Sequence, residues 1–131
     1  MSAETTSKMQ TYALADSVIR EIQAALTIPE TGGILGVREG RMVSEFYHDS
    51  TGTTDARNYI PDIDSLNAVL RDWNRRGIKF VGFVHSHPPN KENLSKPDKK
   101  YANKIKTYCG MDEILMLIYL PETQTLCQYV L

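Results

Sequence analysis

The segment from Ile78 to Val84 most constrains how this chain can fold. Five of its seven residues are large and apolar, and Gly77 precedes it. Such a run is too short for a helix, and its apolar residues point to both sides of the chain. It therefore predicts a central strand that is covered on both faces. Pro88 and Pro89 prevent the strand from continuing.

Three other segments have the periodicity of amphipathic helices. Their apolar residues recur every three or four positions, which places them on one face that must pack against a flat surface. Asp16 or Ser17 is expected to cap the first helix. Asp62 or Asp64 is expected to cap the second, which Gly77 ends. The apolar faces are Val18, Ile19, Ile22 and Leu26 in the first helix, Leu66, Val69, Leu70 and Trp73 in the second, and Tyr101, Ile105 and Tyr108 in the third.

Strand-like segments alternate with these helices. Besides the central strand they cover residues 11–14, 30–37, 41–47, 113–120 and 125–130. This order predicts one α/β domain, residues 9–131, in which helices flank a mixed sheet. The polar residues 1–8 before it are predicted to be a flexible tail. The polar residues 48–64 form the longest predicted loop. Gly32, Gly33 and Gly36 are costly inside a strand, so they indicate close approach of another backbone or of a ligand.

The composition excludes several functional classes. The net charge is -1 and the pI about 6.3, so nothing suggests binding to nucleic acid or to an anionic membrane. The chain lacks an apolar run of the roughly 18 residues that a membrane span needs, and its first residues do not resemble a signal peptide. Cys109 and Cys127 are predicted to be reduced thiols. We therefore expect a cytoplasmic protein.

Two histidines at the C-terminal end of the central strand, together with an aspartate further along the chain, have the spacing of a metal site. Residues two apart on a strand face the same side, so His85 and His87 project together. Asp98 lies in the first turn of the third helix, which starts at Ser95. Two imidazoles and a carboxylate are a standard zinc-ligand set in hydrolases, with the fourth position left to water. The spacing indicates that these three side chains can meet at one metal ion.

Each of these features also has a purely structural interpretation. A pair of histidines at a strand end is a weak signal, and Ser95 with Asp98 has the pattern of a helix capping box. The two interpretations are compatible, because a capped first turn is a rigid place for a ligand. His48, at the end of a strand and the start of the long loop, is interpreted as an ordinary loop residue and not as a ligand. Lysines near the third helix predict a solvated face or, alternatively, a surface for an acidic partner; they are Lys91, Lys96, Lys99, Lys100, Lys104 and Lys106.

A zinc hydrolase also needs a general base and a donor to the developing oxyanion. The Ser95 hydroxyl is close to Asp98 along the chain and can serve as that donor. Among the carboxylates, Glu30 is the best placed base because it stands at the start of the glycine-rich strand. Glu39 falls in a turn at the far end of that strand, and Glu45 falls on its hairpin partner.

The combined pattern resembles a known family. The spacing His85-x-His87, seven residues, Ser95, two residues, Asp98 resembles the complete motif of the JAMM metalloproteases, the JAB/MPN domain. The segment Glu30-Thr31-Gly32-Gly33-Ile34-Leu35-Gly36 is similar to the one that carries this family's catalytic glutamate. The resemblance extends over nearly the whole chain and is to the prokaryotic single-domain type.

The resemblance implies a three-layer, cytidine-deaminase-like α/β fold and a zinc-dependent isopeptidase or peptidase. Such enzymes cut after the C-terminal tail of ubiquitin or a ubiquitin-like protein. His85, His87 and Asp98 would bind one Zn²⁺ ion. Glu30 would act as general base and acid, and Ser95 would stabilise the tetrahedral intermediate.

Other functions stay open at this point. One is a non-catalytic scaffold domain of the same fold, and another is the processing of a sulfur-carrier protein in a biosynthetic pathway. A deaminase is disfavoured because the sequence lacks an H-x-E and P-C-x-x-C signature. The segment 108–113 is too short for the second zinc site of the family's endosomal deubiquitinases. Their large ubiquitin-contacting insertion is also absent, so strict ubiquitin specificity is not expected.

Overall fold

A six-stranded mixed sheet forms the centre of the structure, a computed structural model that describes residues 11–26, 31–50, 53–54, 59–60, 63–88, 91 and 93–131. The predicted tail, residues 1–8, and Glu30 lie outside the described residues. The elements in chain order are β1 (Ala13–Leu14), α1 (Asp16–Ala25), β2 (Gly32–Val37), β3 (Met42–His48), β4 (Thr53–Thr54), β5 (Tyr59–Ile60), α2 (Ile63–Arg75), β6 (Lys79–Ser86), α3 (Lys96–Tyr108), β7 (Leu115–Leu120) and β8 (Thr125–Val130).

The strand order in the sheet is β1-β3-β2-β6-β7-β8. β6 pairs antiparallel with β2 on one side and parallel with β7 on the other, so it is the central strand that the sequence predicts. β3 is antiparallel to β2, β8 is antiparallel to β7, and β1 is parallel to β3. β4 and β5 form a separate antiparallel pair within the stretch predicted to be the longest loop.

Helices cover both faces of the sheet and create two hydrophobic cores. α1 packs on one face, where Val18 and Ile22 are fully buried. α2 and α3 pack on the other face, where Trp73 and Ala102 are buried. β7 shows the alternation that this requires: Leu115, Leu117 and Tyr119 belong to the α1 core, and Met116, Ile118 and Leu120 belong to the core beneath α2 and α3. The predicted α/β arrangement, a mixed sheet flanked by helices, is confirmed.

A β-bulge in β6 sets which side chains face each core. Leu35 lies opposite Gly82, whereas the next residue of β2 lies opposite Phe80, so Val81 is an extra residue in β6. Val81 turns into the α1 core, and Phe80 and Phe83 meet edge to face on the other side of the sheet, with ring centroids 5.3 Å apart. His85 is two residues beyond Phe83 and therefore faces the side on which α3 lies.

Protein atoms explain two of the three glycines in the glycine-rich strand. A Cβ atom at Gly33 would overlap the carbonyl oxygen of Tyr47 on β3. A Cβ atom at Gly36 would lie 2.6 Å from Ile78 and 2.8 Å from the Trp73 ring. The close approach that these glycines predict is therefore made by neighbouring elements of the fold.

Two expectations about the helices were wrong, the N-cap of α1 and the burial of Tyr108 in α3. The N-cap of α1 is Ala15, which has no side-chain cap; its N–H donates to the Val43 carbonyl at 3.0 Å, so the attachment to β3 fixes where the helix starts. Asp64 lies inside the first turn of α2 and is not its cap, and Asp62 lies outside the described residues.

The buried face of α3 also differs from the predicted one. Tyr108 was expected to be buried, but it is 88% exposed, and the buried residue of the helix is Ala102. The inward face follows the line through Asp98, Ala102 and Ile105, and Tyr108 is roughly 90° around the helix from that line. Large residues alone therefore gave the wrong centre for the apolar face.

Two further observations concern the cysteines and the helices. Cys109 is exposed and Cys127 is partly buried, and neither forms a disulfide with a residue that the structure describes. Among the residues that the structure describes, no helix has the length and the apolar character needed to span a membrane.

The contact between β6 and β7 at Gly82 gives a first prediction. A Cβ atom at Gly82 would overlap the Leu115 carbonyl oxygen and lie 2.8 Å from the Leu115 Cβ atom. Since β7 is buried, neither strand can move away freely. We expect Gly82→Ala to lower the free energy of unfolding by about 3 kcal/mol, as overpacked core sites do.

Gly40→Ala is the matched control in urea unfolding. Nothing lies within 4 Å of a Cβ atom at Gly40, and its φ is 64°. Its cost should therefore be about 1 kcal/mol, the penalty of the left-handed conformation. Equal losses in the two variants would contradict the predicted overlap with β7.

Candidate metal centre

The two histidines lie where β6 leaves the centre of the sheet. His85 is within β6 and His87 follows its last residue, and both are buried, with 5% and 6% exposure. Their ring centroids are 4.6 Å apart. The N–H of His87 donates to the Tyr119 carbonyl at 3.0 Å, which extends the pairing with β7 to this residue. The two imidazoles therefore project together, as their spacing predicts.

A hydrogen bond fixes the tautomer of His87. Its Nδ1 atom lies 2.6 Å from the carbonyl oxygen of Lys91. A carbonyl only accepts, so Nδ1 carries the proton. In the neutral ring this leaves the lone pair on Nε2, the atom that faces Asp98. Such a bond to the far nitrogen is the usual way in which a metal-binding histidine is oriented.

The capping box at the start of α3 orients Asp98. The Ser95 hydroxyl oxygen accepts the Asp98 N–H at 3.1 Å, and the Asp98 carboxylate accepts the Ser95 N–H at 2.9 Å. The predicted box is therefore confirmed. It holds an anionic side chain at the positive end of the helix, which is a favourable position.

The three predicted ligands converge. Asp98 Oδ2 lies 3.4 Å from His85 Nε2 and 3.5 Å from His87 Nε2. One donor atom from each of the three residues lies within 4.8 Å of the other two. Ligands bound at about 2.0–2.2 Å in tetrahedral geometry are themselves about 3.4 Å apart. The observed separations between the carboxylate and the imidazoles match that value.

The Nε2 atom of His85 provides an independent test of the site. It is buried and makes no hydrogen bond within the described part of the chain. A buried polar atom without a partner typically costs about 1–3 kcal/mol. A bond to a metal ion would remove that cost. The donor set and this nitrogen therefore fit a metal ion, and these residues can hold one.

Asp98 is held in the ionised state that metal binding requires. Burial of its carboxylate acts to raise its pKa. The two imidazoles, when they are protonated, and the Ser95 N–H act in the opposite direction and outweigh burial, so the pKa of Asp98 is well below its ordinary value. Asp98 is consequently a carboxylate at neutral pH.

Hydrogen bonds connect the site to the start of β2. Ser86, between the two histidines, is fully buried, and its hydroxyl oxygen accepts the Thr31 N–H at 3.1 Å. The Ser86 N–H donates to the Thr31 carbonyl at 2.9 Å. The Thr31 hydroxyl shares a hydrogen bond of 2.9 Å with His48 Nε2. Thr31 is thus fixed through its N–H, its carbonyl and its side chain.

Sequence reasoning missed the roles of Ser86 and His48. Ser86 received no role, although a small polar residue that follows a nearly continuous apolar strand was a usable signal. His48 does end a strand, as expected, but its contact with Thr31 was not foreseen. Nothing in the local sequence indicates that contact, because the two residues belong to different strands.

The structure places some of the candidate catalytic residues and not others. Ser95 is partly buried beside Asp98, and Glu30 lies outside the described residues. Thr31, which follows Glu30 in the chain, is anchored to Ser86, and Gly32 lies opposite His85. Of the alternatives, Glu45 forms an ion pair of 2.8 Å with Arg38. Glu39 is exposed in the turn between β2 and β3.

Comparison with known proteins identifies one family, and the solved structures similar to this chain include two from prokaryotes. The model of a family described as prokaryotic homologues of the JAB domain matches residues 13–125. The solution structure of a protein from Desulfitobacterium hafniense is 21% identical with a TM-score of 0.71, over 92% of this chain and 82% of the other. The crystal structure of a JAB1/MPN domain protein from Archaeoglobus fulgidus is 14% identical with a TM-score of 0.50, over 92% of this chain and 89% of the other. No curated protein sequence matches this chain significantly.

The converging donor atoms predict a single high-affinity site for Zn²⁺ or Co²⁺. We expect His85→Ala and Asp98→Asn to weaken binding by more than about 100-fold, beyond what loss of an outer-shell partner costs. His48→Ala is the control, because His48 bonds Thr31 and is not one of the three ligands. The visible absorption of the Co²⁺ protein and elemental analysis measure the result. Tight one-to-one binding by His85→Ala would contradict the site.

The contact between Ser86 and Thr31 predicts a stability effect that is separate from metal binding. Ser86→Ala leaves the Thr31 N–H without the hydroxyl oxygen that accepts it. We expect the free energy of unfolding of the metal-free protein to fall by about 1–3 kcal/mol. The control is Ser44→Ala, since the Ser44 hydroxyl accepts the Arg38 N–H at an exposed position. That control should lose less than about 0.5 kcal/mol.

Proposed function

The chain belongs to the family of prokaryotic homologues of the JAB domain, and on this premise we propose that it is a zinc-dependent isopeptidase or peptidase. Its substrate is a ubiquitin-like protein, cut after the C-terminal tail. One observation carries the proposal: His85, His87 and Asp98 bring three donor atoms within 4.8 Å of one another, with the carboxylate 3.4 and 3.5 Å from the two imidazoles, and His85 Nε2 makes no hydrogen bond among the described residues.

The three ligands define what a metal ion would do here. Zinc held by His85, His87 and Asp98 would supply a Lewis acid for the attacking water and for the scissile carbonyl. The chain's own contribution is to keep the donor atoms in place before the ion binds. The Lys91 carbonyl orients His87, and the Ser95 cap orients Asp98.

We assign the proton transfers to Glu30. Its carboxylate takes a proton from the attacking water while the water oxygen bonds to the scissile carbonyl carbon. It then gives that proton to the amine nitrogen as the carbon–nitrogen bond breaks, so the peptide is hydrolysed without net change in the enzyme. The resemblance of residues 30–36 to the family's glutamate segment supports this role. So does the attachment of the next residue, Thr31, to Ser86 between the two histidines.

Ser95 is proposed to stabilise the oxyanion. Its hydroxyl oxygen accepts the Asp98 N–H, and this leaves its hydrogen available to donate. A donor fixed by a helix cap needs little reorganisation when negative charge develops on the carbonyl oxygen. The same cap that orients the ligand would therefore also position the donor.

The ubiquitin-like substrate is inferred from the family resemblance. An extended C-terminal tail ending in small residues is the part of such a protein that can reach a site beside the buried end of β6. Processing of a sulfur-carrier protein uses the same bond cleavage and belongs to this proposal. A scaffold role would give the complete ligand set no purpose.

The test of this function is the Glu30→Gln variant. We expect it to bind zinc as the unaltered protein does and to lower kcat by about 100- to 10,000-fold, because the amide cannot accept the proton. The substrates are a panel of ubiquitin-like proteins with C-terminal extensions, and intact mass locates the cut. Glu39→Gln, in the exposed turn, is the control and should retain activity.

The possible results separate the alternatives. Full activity of Glu30→Gln would show that another residue is the base. If the zinc-loaded unaltered protein cuts no member of the panel, the scaffold function is favoured. Loss of zinc in Glu30→Gln would make Glu30 a ligand, contrary to the proposed set of three.

A further inference from the structure

The outward surface of α3 carries lysines that form no ion pair with an acidic residue in the described part of the chain. The helix contains five lysines and one acidic residue, Asp98, which faces the metal centre. Lys96, Lys100 and Lys104 are exposed at four-residue spacing, with Lys99 beside them. None of these four forms an ion pair with any residue that the structure describes. Like charges at this spacing repel and destabilise a helix, so the row is unfavourable in the isolated chain.

An exposed aromatic residue continues the row at its far end. Tyr108 is four residues beyond Lys104 and 88% exposed. It borders a cleft of about 580 Å³ between α2 and α3, to which Arg71 and Arg75 also contribute. Tyrosine and arginine are the residue types that most often act as anchors in protein interfaces. We call Lys96, Lys99, Lys100, Lys104 and Tyr108 the α3 stripe.

The charge of the α3 stripe contrasts with that of the whole chain. The protein has a net charge of -1, whereas α2 and α3 together hold seven of its 15 lysines and arginines and three of its 16 aspartates and glutamates. Arg75, the last residue of α2, and Arg76, which follows it, share one partner among the described residues, Asp72, at 3.3 and 2.9 Å. The adjacent surface of α2 therefore does little to neutralise the stripe. An acidic surface is the complement that this arrangement selects.

The α3 stripe begins at the metal centre. Lys96 follows the cap residue Ser95 and precedes the ligand Asp98 by two positions. At 1.5 Å per residue, Tyr108 is about 15 Å from Asp98 along the helix axis. An extended chain covers about 15 Å in five residues. A folded protein bound on the stripe can therefore deliver a short C-terminal tail to the ligands.

We propose that the α3 stripe is the docking surface for an acidic face on the folded body of the substrate protein. This inference rests on the proposed function, and it adds the charge of the substrate and the place where its body binds. A protein fits better than a nucleic acid, because the chain as a whole is not basic and the stripe ends in an aromatic anchor beside a cleft.

Binding is tested first without any cleavage. A fluorescein-labelled, glutamate-rich peptide is titrated with the zinc-loaded protein at low and high sodium chloride, and anisotropy gives Kd. We expect Lys100→Glu/Lys104→Glu to raise Kd at low salt by about tenfold or more, because each change replaces attraction by repulsion. Arg20→Glu/Lys79→Glu makes the same change in net charge at exposed positions on other elements. It should change Kd by less than about threefold.

Cleavage gives the second measurement. An acidic ubiquitin-like fusion is compared with the same fusion after its acidic face is changed from Glu to Gln, and with a short peptide that contains only the tail. In Lys100→Glu/Lys104→Glu we expect KM to rise for the acidic fusion while kcat, and the rate on the short peptide, stay unchanged. Tyr108→Ser should also raise KM without lowering the melting temperature, since Tyr108 is exposed.

The outcomes distinguish this proposal from the proposed function. If the peptide binds as expected but nothing is cleaved, the docking surface stands and the enzyme assignment fails. If cleavage occurs and KM for the acidic fusion rises equally in both double variants, the effect is one of net charge. The α3 stripe is then not the docking surface. Tighter binding of a labelled oligonucleotide than of the acidic peptide, abolished in Lys100→Glu/Lys104→Glu, would replace the protein partner by a nucleic acid.

Discussion

The reciprocal hydrogen bonds between Ser95 and Asp98 determine whether a metal centre can exist in this fold. Asp98 comes from a helix, whereas the two imidazoles come from the end of a strand, so their meeting depends on how α3 begins. The cap sets the direction of the first turn and restrains the carboxylate at the same time. A carboxylate that is partly removed from water needs such support, because desolvation alone favours its neutral form. The cap and the imidazoles together reverse that preference.

The histidines are fixed by the two neighbours of β6. The N–H of Ser86 bonds toward the start of β2, and the N–H of the next residue, His87, bonds toward β7. A strand held on both edges in this way has little freedom to rotate, so the imidazoles keep their positions without an ion. Side chains alternate along a strand, so the hydroxyl of Ser86 points away from the two histidines. It accepts a hydrogen bond from the Thr31 N–H and so links β6 to the start of β2. Three consecutive residues thus supply two donors and the link to β2.

The parts of this arrangement that the sequence predicted are those that depend on local spacing. The strand end beside the histidines, the cap at Ser95 and the shared orientation of His85 and His87 follow from the two-residue period of a strand and from the three-residue spacing of a capping box. The start of α1 at Ala15 was not predictable from its own neighbourhood, because a bond to β3 sets it. The role of Ser86 depends on a partner 55 positions away, and that of His48 on one 17 positions away. A single sequence does not indicate which residues so far apart in the chain form a hydrogen bond with each other.

α3 illustrates how one helix meets two opposite electrostatic demands. Its inward face must present a carboxylate to the metal centre, and this uses the only acidic residue in the helix. The charged residues on the outward face are then all lysines. They lie near a site where hydrolysis would create negative charge on the carbonyl oxygen of the substrate. At physiological ionic strength surface charges act over roughly 8 Å, so mainly the first turn of the helix influences that oxygen directly. The lysines further along gain little from the metal centre, and their concentration on one line is better explained by a partner that contacts the whole helix.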